Sequence, residues 1–228
     1  MIGARPRGPG SRRISGHQAL LAFATLAFAA AANPRGAAAL DLAIRPLCGV
    51  ERWDAELGAY GWDGPTHAVG GAEASIARGA YGGALRVERR GASQSVDLLG
   101  EPASTHVALW SVALVGERSL ATWAGARLAV RACAGRLFAS YSPRALTFAA
   151  GDGAPIEVTF EPWSEWMAGA GLGVGVPLSS QLALGFDLER WYFALDTAHR
   201  RDDTIVRSRE TFGQWTGRIG LAWRLAFV

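Results

Sequence analysis

The segment Phe212 to Val228 reads FGQWTGRIGLAWRLAFV and decides how the rest of the chain is read. Odd positions carry Trp215, Ile219, Leu221, Trp223, Leu225 and Phe227; even positions carry Gln214, Thr216, Arg218, Gly220, Ala222, Arg224 and Ala226. Side chains alternate across a strand, so this period of two predicts a two-faced strand. Its small and cationic side chains share one face, with glycine and alanine leaving room around Arg218 and Arg224. A soluble sheet turns its large apolar face to a core, whereas a sheet solvated by lipid turns that face outward.

Working back from this strand, seven further segments of similar size can be marked off by turn residues, near 40–53, 66–77, 82–96, 105–115, 120–133, 163–176 and 181–195. Leu42, Ile44, Cys48 and Val50 alternate with Ala43, Arg45, Gly49 and Glu51. Trp166, Ala168, Ala170, Leu172, Val174 and Val176 alternate with Met167, Gly169, Gly171, Gly173 and Gly175. In 181–195 the phase slips near Arg190-Trp191, where a bulge is expected. Short turns are expected at 78–81, 116–119 and 177–180. Longer connections are expected near 56–65, 97–104, 134–160 and 197–210, and parts of the third, Ala145–Ala149 and Ile156–Phe160, could prolong the neighbouring strands. Short turns at one end and long loops at the other predict an all-β, antiparallel up-and-down transmembrane β-barrel of eight strands. An even strand count puts both chain ends at the short-turn, periplasmic end.

The first 39 residues read as a cleaved signal peptide. Arg5, Arg7, Arg12 and Arg13 precede an apolar run from Ala19 to Ala32, too short to span a bilayer comfortably, and Ala37-Ala38-Ala39 suits a cleavage site before Leu40, with cleavage after Ala32 as the alternative. Residues 40–228 then form a single barrel domain. Five of the 23 cations, all arginine, lie before residue 40, and all 20 acids lie after it, so the remainder carries two more acids than arginines. The basic character of the whole chain therefore belongs to the signal, and no basic stripe with interleaved aromatics suggests nucleic acid as a partner.

Segments 40–228 resemble the small eight-stranded outer-membrane barrels, the class of the OmpA transmembrane domain and OmpX. The C-terminal strand resembles the signal read by the barrel-insertion machinery. The resemblance is one of architecture; it implies outer-membrane lipids and that machinery as partners, a monomer, and no cofactor, and it transfers no functional residue. Eight strands enclose an interior that side chains fill. The expected inward charge network is Arg45, Glu51, Glu73, Arg86, Glu88, Arg127, Arg131, Asp187, Glu189, Arg218 and Arg224, nearly balanced in sign and set among Gly and Ala. Trp163, Trp166, Trp215, Trp223 and Phe227 are the expected membrane-interface aromatics, the first three at the outer boundary and the last two at the inner one.

Candidate chemistry is sparse. Ser104 and His106 share a strand face near the outer rim, with Asp97 and Glu101 upstream, but a nucleophile needs a base and an orienting acid within hydrogen-bond reach. A rim histidine is the plainer reading, and no catalytic residue is assigned. Asp152, Glu157, Glu161 and Glu165 read as a solvated acidic loop rather than a cation site, and no metal-ligand spacing appears. Cys48 and Cys133 fall on strands one and five, across the barrel from each other, so free thiols are expected. The function expected is a non-enzymatic, structural or surface-interaction barrel. The alternatives are a lipid-modifying outer-membrane enzyme, a conducting pore, and a soluble periplasmic or secreted β-barrel or β-sandwich binding domain.

Overall fold

The computed structural model describes residues 41–98, 100–149, 155–201 and 204–225, for 198–207 the backbone alone. The expected signal segment, Asp152 and Phe227 lie outside the described residues. Eleven strands follow in order: β1 (Asp41–Trp53), β2 (Trp62–Asp63), β3 (Thr66–Arg78), β4 (Tyr81–Leu98), β5 (Glu101–Trp123), β6 (Ala126–Ser142), β7 (Ala145–Ala149), β8 (Pro155–Thr159), β9 (Trp163–Pro177), β10 (Leu182–Arg201) and β11 (Thr204–Leu225), with a 3-10 turn at Ala55–Tyr60. Eight of them, in the order β4-β3-β1-β11-β10-β9-β6-β5, close on themselves because β4 also pairs with β5. Every pairing in the ring is antiparallel. Closure leaves no open edge, so the β-sandwich alternative does not hold.

Following hydrogen-bonded partners around the ring from Arg52 on β1, through Trp215, Arg190, Ala170, Ala132, Gly116, Gly83 and Ile76, leads back to Leu42 on β1, ten residues lower. That offset tilts the strands by roughly 40° to the barrel axis, as barrel closure demands.

The expected strands are all present, but several boundaries move. Residues 116–119 are not a turn. They lie inside β5, and the hairpin closes at Ala124 and Gly125, both at positive φ (48° and 83°), which suits the twist of a two-residue hairpin turn. The register shift falls between Ser119 and Ala121, whereas β10 runs through Arg190-Trp191 without interruption. The stretches expected as loops at 97–104 and 197–210 are mostly strand: β4 and β5 pair as far as Leu98↔Glu101, and β10 and β11 as far as Arg201↔Thr204. Residues 134–142 prolong β6. Beyond them β7 and β8 form their own two-stranded sheet rather than extending β6 and β9.

Candidate functional site: the lumen and the outer wall

The inward face of the ring is polar in the middle and aromatic toward the long-loop end. In the middle, Arg45, Arg86, Arg90, Arg131 and Arg218 are buried with Glu51, Glu73, Glu88, Asp187 and Glu189, five cations against five anions. All of the expected set but Arg127 and Arg224 are thus buried, and these two line the lumen's open end. Those two face the short-turn end, where Arg127 is one-third exposed and pairs with Glu117 at 3.3 Å, and Arg224 is exposed. Both line an open vestibule of about 190 Å³.

Each buried cation meets anions from other strands. Arg86 on β4 bonds Glu73 on β3 (2.7 Å) and Glu189 on β10 (2.7 Å). Arg131 on β6 reaches Glu73 (2.7 Å) and Asp187 (2.5 Å), and Arg45 on β1 reaches Glu73 (2.8 Å) and Asp187 (2.6 Å). Arg218 on β11 bridges Glu88 and Glu189, the latter at 2.7 Å. Taking a charge out of water costs several kcal/mol unless a partner compensates it, and here the partners come from across the lumen. Glycines on β9 make the room: a Cβ on Gly171 would lie 2.7 Å from Cγ of Glu189, and one on Gly173 would lie 3.0 Å from Asp187 and 3.1 Å from Arg131.

Sequence reasoning missed Arg90, whose Nε lies 2.8 Å from Glu51, although it stands two residues beyond Glu88 on the same face. It also missed Gln214, which donates to Glu51 at 3.2 Å. Two tryptophans join the ionic layer to what lies above it: Trp53 Nε1 donates to Glu51 (2.6 Å) and Trp191 Nε1 to Glu189 (2.9 Å).

Above the charges the lumen is closed by an apolar plug in which Leu57, Trp62, Leu109, Leu137, Met167, Trp191, Phe193 and Phe212 pack together. This explains the apparent phase slip in β10. The inward side chains change from Asp187 and Glu189 to Trp191 and Phe193 with no change of face. The 3-10 turn lies over the plug; Tyr60 donates to Glu210 at 2.5 Å, and this acceptor carboxylate pushes the phenol's pKa above its ordinary value. The β10–β11 hairpin is tied down by Arg209, which pairs with Glu165 (2.5 Å) and Asp196 (2.9 Å).

Trp163 departs from its expected place at the outer boundary. It shares the inward phase of Met167, packs edge-on to Trp62 at 6.3 Å and donates to Tyr141 at 2.8 Å. Trp166, Trp215 and Trp223 do project from the outer wall, at 39%, 48% and 59% exposure. Cys48 is exposed on the outer wall and Cys133 is buried in the lumen; both are free thiols.

Ser104 and His106 also face outward, with His106 directly opposite Ser93 on β4 and Ser142 on β6. Among the described residues no hydrogen bond joins His106 to a serine or an acid. The rim acid Asp63 accepts from Ser95 at 2.6 Å. Among the described residues no three His, Cys, Asp or Glu side chains gather as they would around a metal ion.

Between its two ends the outer wall is apolar. Ile44, Val50, Leu85, Leu114, Leu172, Leu188 and Leu221 are all roughly half exposed, while the charges point inward. Water would reward the opposite arrangement. Hydrocarbon rewards this one, because lipid solvates apolar side chains and cannot satisfy an open strand edge. The fold is that of a small eight-stranded outer-membrane β-barrel.

Solved structures of the same architecture align over most of the chain at very low identity. Neisserial surface protein A is 10% identical, with 81% of this chain and 97% of that one covered and a TM-score of 0.48. A major outer-membrane protein from Thermus thermophilus is 14% identical, with 82% and 100% covered and a TM-score of 0.48. The outer-membrane protein OprG from Pseudomonas aeruginosa is 13% identical, with 86% and 100% covered and a TM-score of 0.46. No protein-family model and no curated protein matches the sequence.

Proposed function

We propose that the protein is a non-enzymatic outer-membrane barrel that serves a structural or surface-interaction role, with its long-loop end as the interacting face. The observation that carries this reading is the filled lumen. Among the described residues a balanced network of buried arginines and acids lies beneath an aromatic plug and fills the middle of the lumen, which disfavours a pore. The elements at the long-loop end are the 3-10 turn, the β4–β5 and β10–β11 hairpins and the β7–β8 sheet. Fold alone does not name that partner.

Cell fractionation with gel analysis tests the placement. The protein is expected in the outer-membrane fraction and to migrate differently when loaded with and without boiling; recovery in the aqueous periplasmic fraction contradicts the reading. A lipid-modifying enzyme is the competing reading, supported by the Ser93–His106–Ser142 alignment on the outer wall. His106→Ala is expected to leave lipid A composition unchanged. Loss of a lipid A modification in that variant would make the protein an enzyme.

A further inference from the structure

The arginines on the outer wall differ from those in the lumen. Arg89 lies over the ring of Trp110 (5.4 Å), Arg136 over Trp166 (5.5 Å) and Phe138 (5.9 Å), and Arg190 over Trp215 (5.4 Å) and Tyr192 (5.3 Å). Arg52 sits directly opposite Trp215 on the neighbouring strand. Once the ten-residue offset is spread over eight strands, these positions fall at one height around the barrel, where the apolar wall gives way to the long-loop end. Arg190 pairs with Asp54 at 2.7 Å, and Arg136 shares donors with the Ser164 hydroxyl. Among the described residues, Arg52, Arg89 and Arg136 have no carboxylate partner, whereas each buried arginine of the lumen has at least one.

We infer that this ring binds the phosphate groups of anionic lipids at the outer membrane–water boundary, an inference that rests on the membrane placement proposed above. Stacking holds a guanidinium by its face and leaves its in-plane N–H donors free at the edge. Those donors match the oxygens of a phosphate, which accepts two parallel hydrogen bonds. A cation at the edge of hydrocarbon, without a carboxylate of its own, gains most from an anion supplied by the surroundings, and at this height the surroundings are lipid headgroups. The opposite end of the wall presents Tyr81, Trp123 and Trp223, with Arg118 over Tyr81. The ring of several stacked guanidiniums lies at the long-loop end.

The test uses the full barrel reconstituted in phosphatidylcholine vesicles containing spin-labelled phosphatidic acid or spin-labelled phosphatidylcholine, with the immobilised fraction of each label read by electron paramagnetic resonance. The native protein is expected to prefer phosphatidic acid by about fivefold, the scale of a bidentate charge-assisted contact weakened by solvent. The combined variant Arg52→Gln, Arg89→Gln and Arg136→Gln is expected to lose that preference while keeping its heat-modifiable migration, which shows that it still folds. Arg118→Gln is expected to keep it. Equal selectivity in the native protein and the triple variant would overturn the inference. So would abolition of the preference by inorganic phosphate at concentrations that leave bulk ionic strength unchanged, because the ligand would then be a free anion. Flotation with the vesicles is scored separately; failure of the native protein to float would overturn the membrane placement itself.

Discussion

Arg86 on β4 meets Glu189 on β10 across the full width of the barrel, with 2.7 Å between guanidinium and carboxylate. The two strands are four steps apart in a ring of eight, so this one bond spans opposite walls. Both side chains are almost wholly buried. The lumen is held by charge, while the wall around it is apolar.

Glu189→Gln would leave Arg86 and Arg218 short of the anion they share. Stripping one partner from a buried ion pair typically costs about 3–5 kcal/mol. The variant is expected to unfold at lower urea concentration in detergent by that order, measured by the loss of heat-modifiable migration. Replacing Arg86 and Glu189 together with Met and Leu is expected to cost less than Glu189→Gln alone, since the buried charges stay balanced, Arg218 keeps Glu88, and Glu73 keeps Arg45 and Arg131.

Gly171→Val places a branched side chain where a Cβ alone would lie 2.7 Å from Cγ of Glu189. Overpacking of this kind costs roughly 1–3 kcal/mol, and here it also displaces a carboxylate from its arginines. Gly175, whose added Cβ meets nothing within 4 Å, is the control. Urea titration of Gly171→Val and Gly175→Ala is expected to show a clear loss in the first and a small effect in the second.

The two native cysteines report which side of the wall is which. A lipophilic maleimide is expected to label Cys48 in membranes, a charged thiol reagent to label neither residue, and both reagents to label both after boiling. The measurement is mass spectrometry of the labelled peptides. It follows from Cys48 facing outward and Cys133 being buried inside.

Much of this was legible in the sequence. The alternation in Phe212–Val228 named the inward Arg218 and outward Trp215 and Trp223, and the alternation in 163–176 put its glycines on one face, whose room for Glu189, Asp187 and Arg131 only the structure shows. What failed did so for a reason peculiar to a polar lumen. Gly116-Glu117-Arg118-Ser119 has turn composition, yet Glu117 is an inward residue with Arg127 and Arg131 as partners, so polarity there is not punctuation. The β4–β5 and β10–β11 hairpins run on past the ring. Beyond it no neighbouring strand imposes a two-faced pattern, so their sequences lose the alternation that marks a wall strand. In β10 the inward face changes from carboxylate to aromatic at Trp191, and a change of chemistry imitates a change of phase. Trp163 and Trp166 look alike as boundary residues; only the phase set by Met167 separates the inward ring from the outward one.

The most direct test of an inside-out barrel is Leu172→Arg, at a half-exposed position on the wall. Its stability is measured by equilibrium unfolding in lipid vesicles. A lipid-facing position near the middle of the wall predicts a loss of about 2–4 kcal/mol. A change within about 0.5 kcal/mol, as an exposed residue of a water-solvated protein gives, would contradict the account.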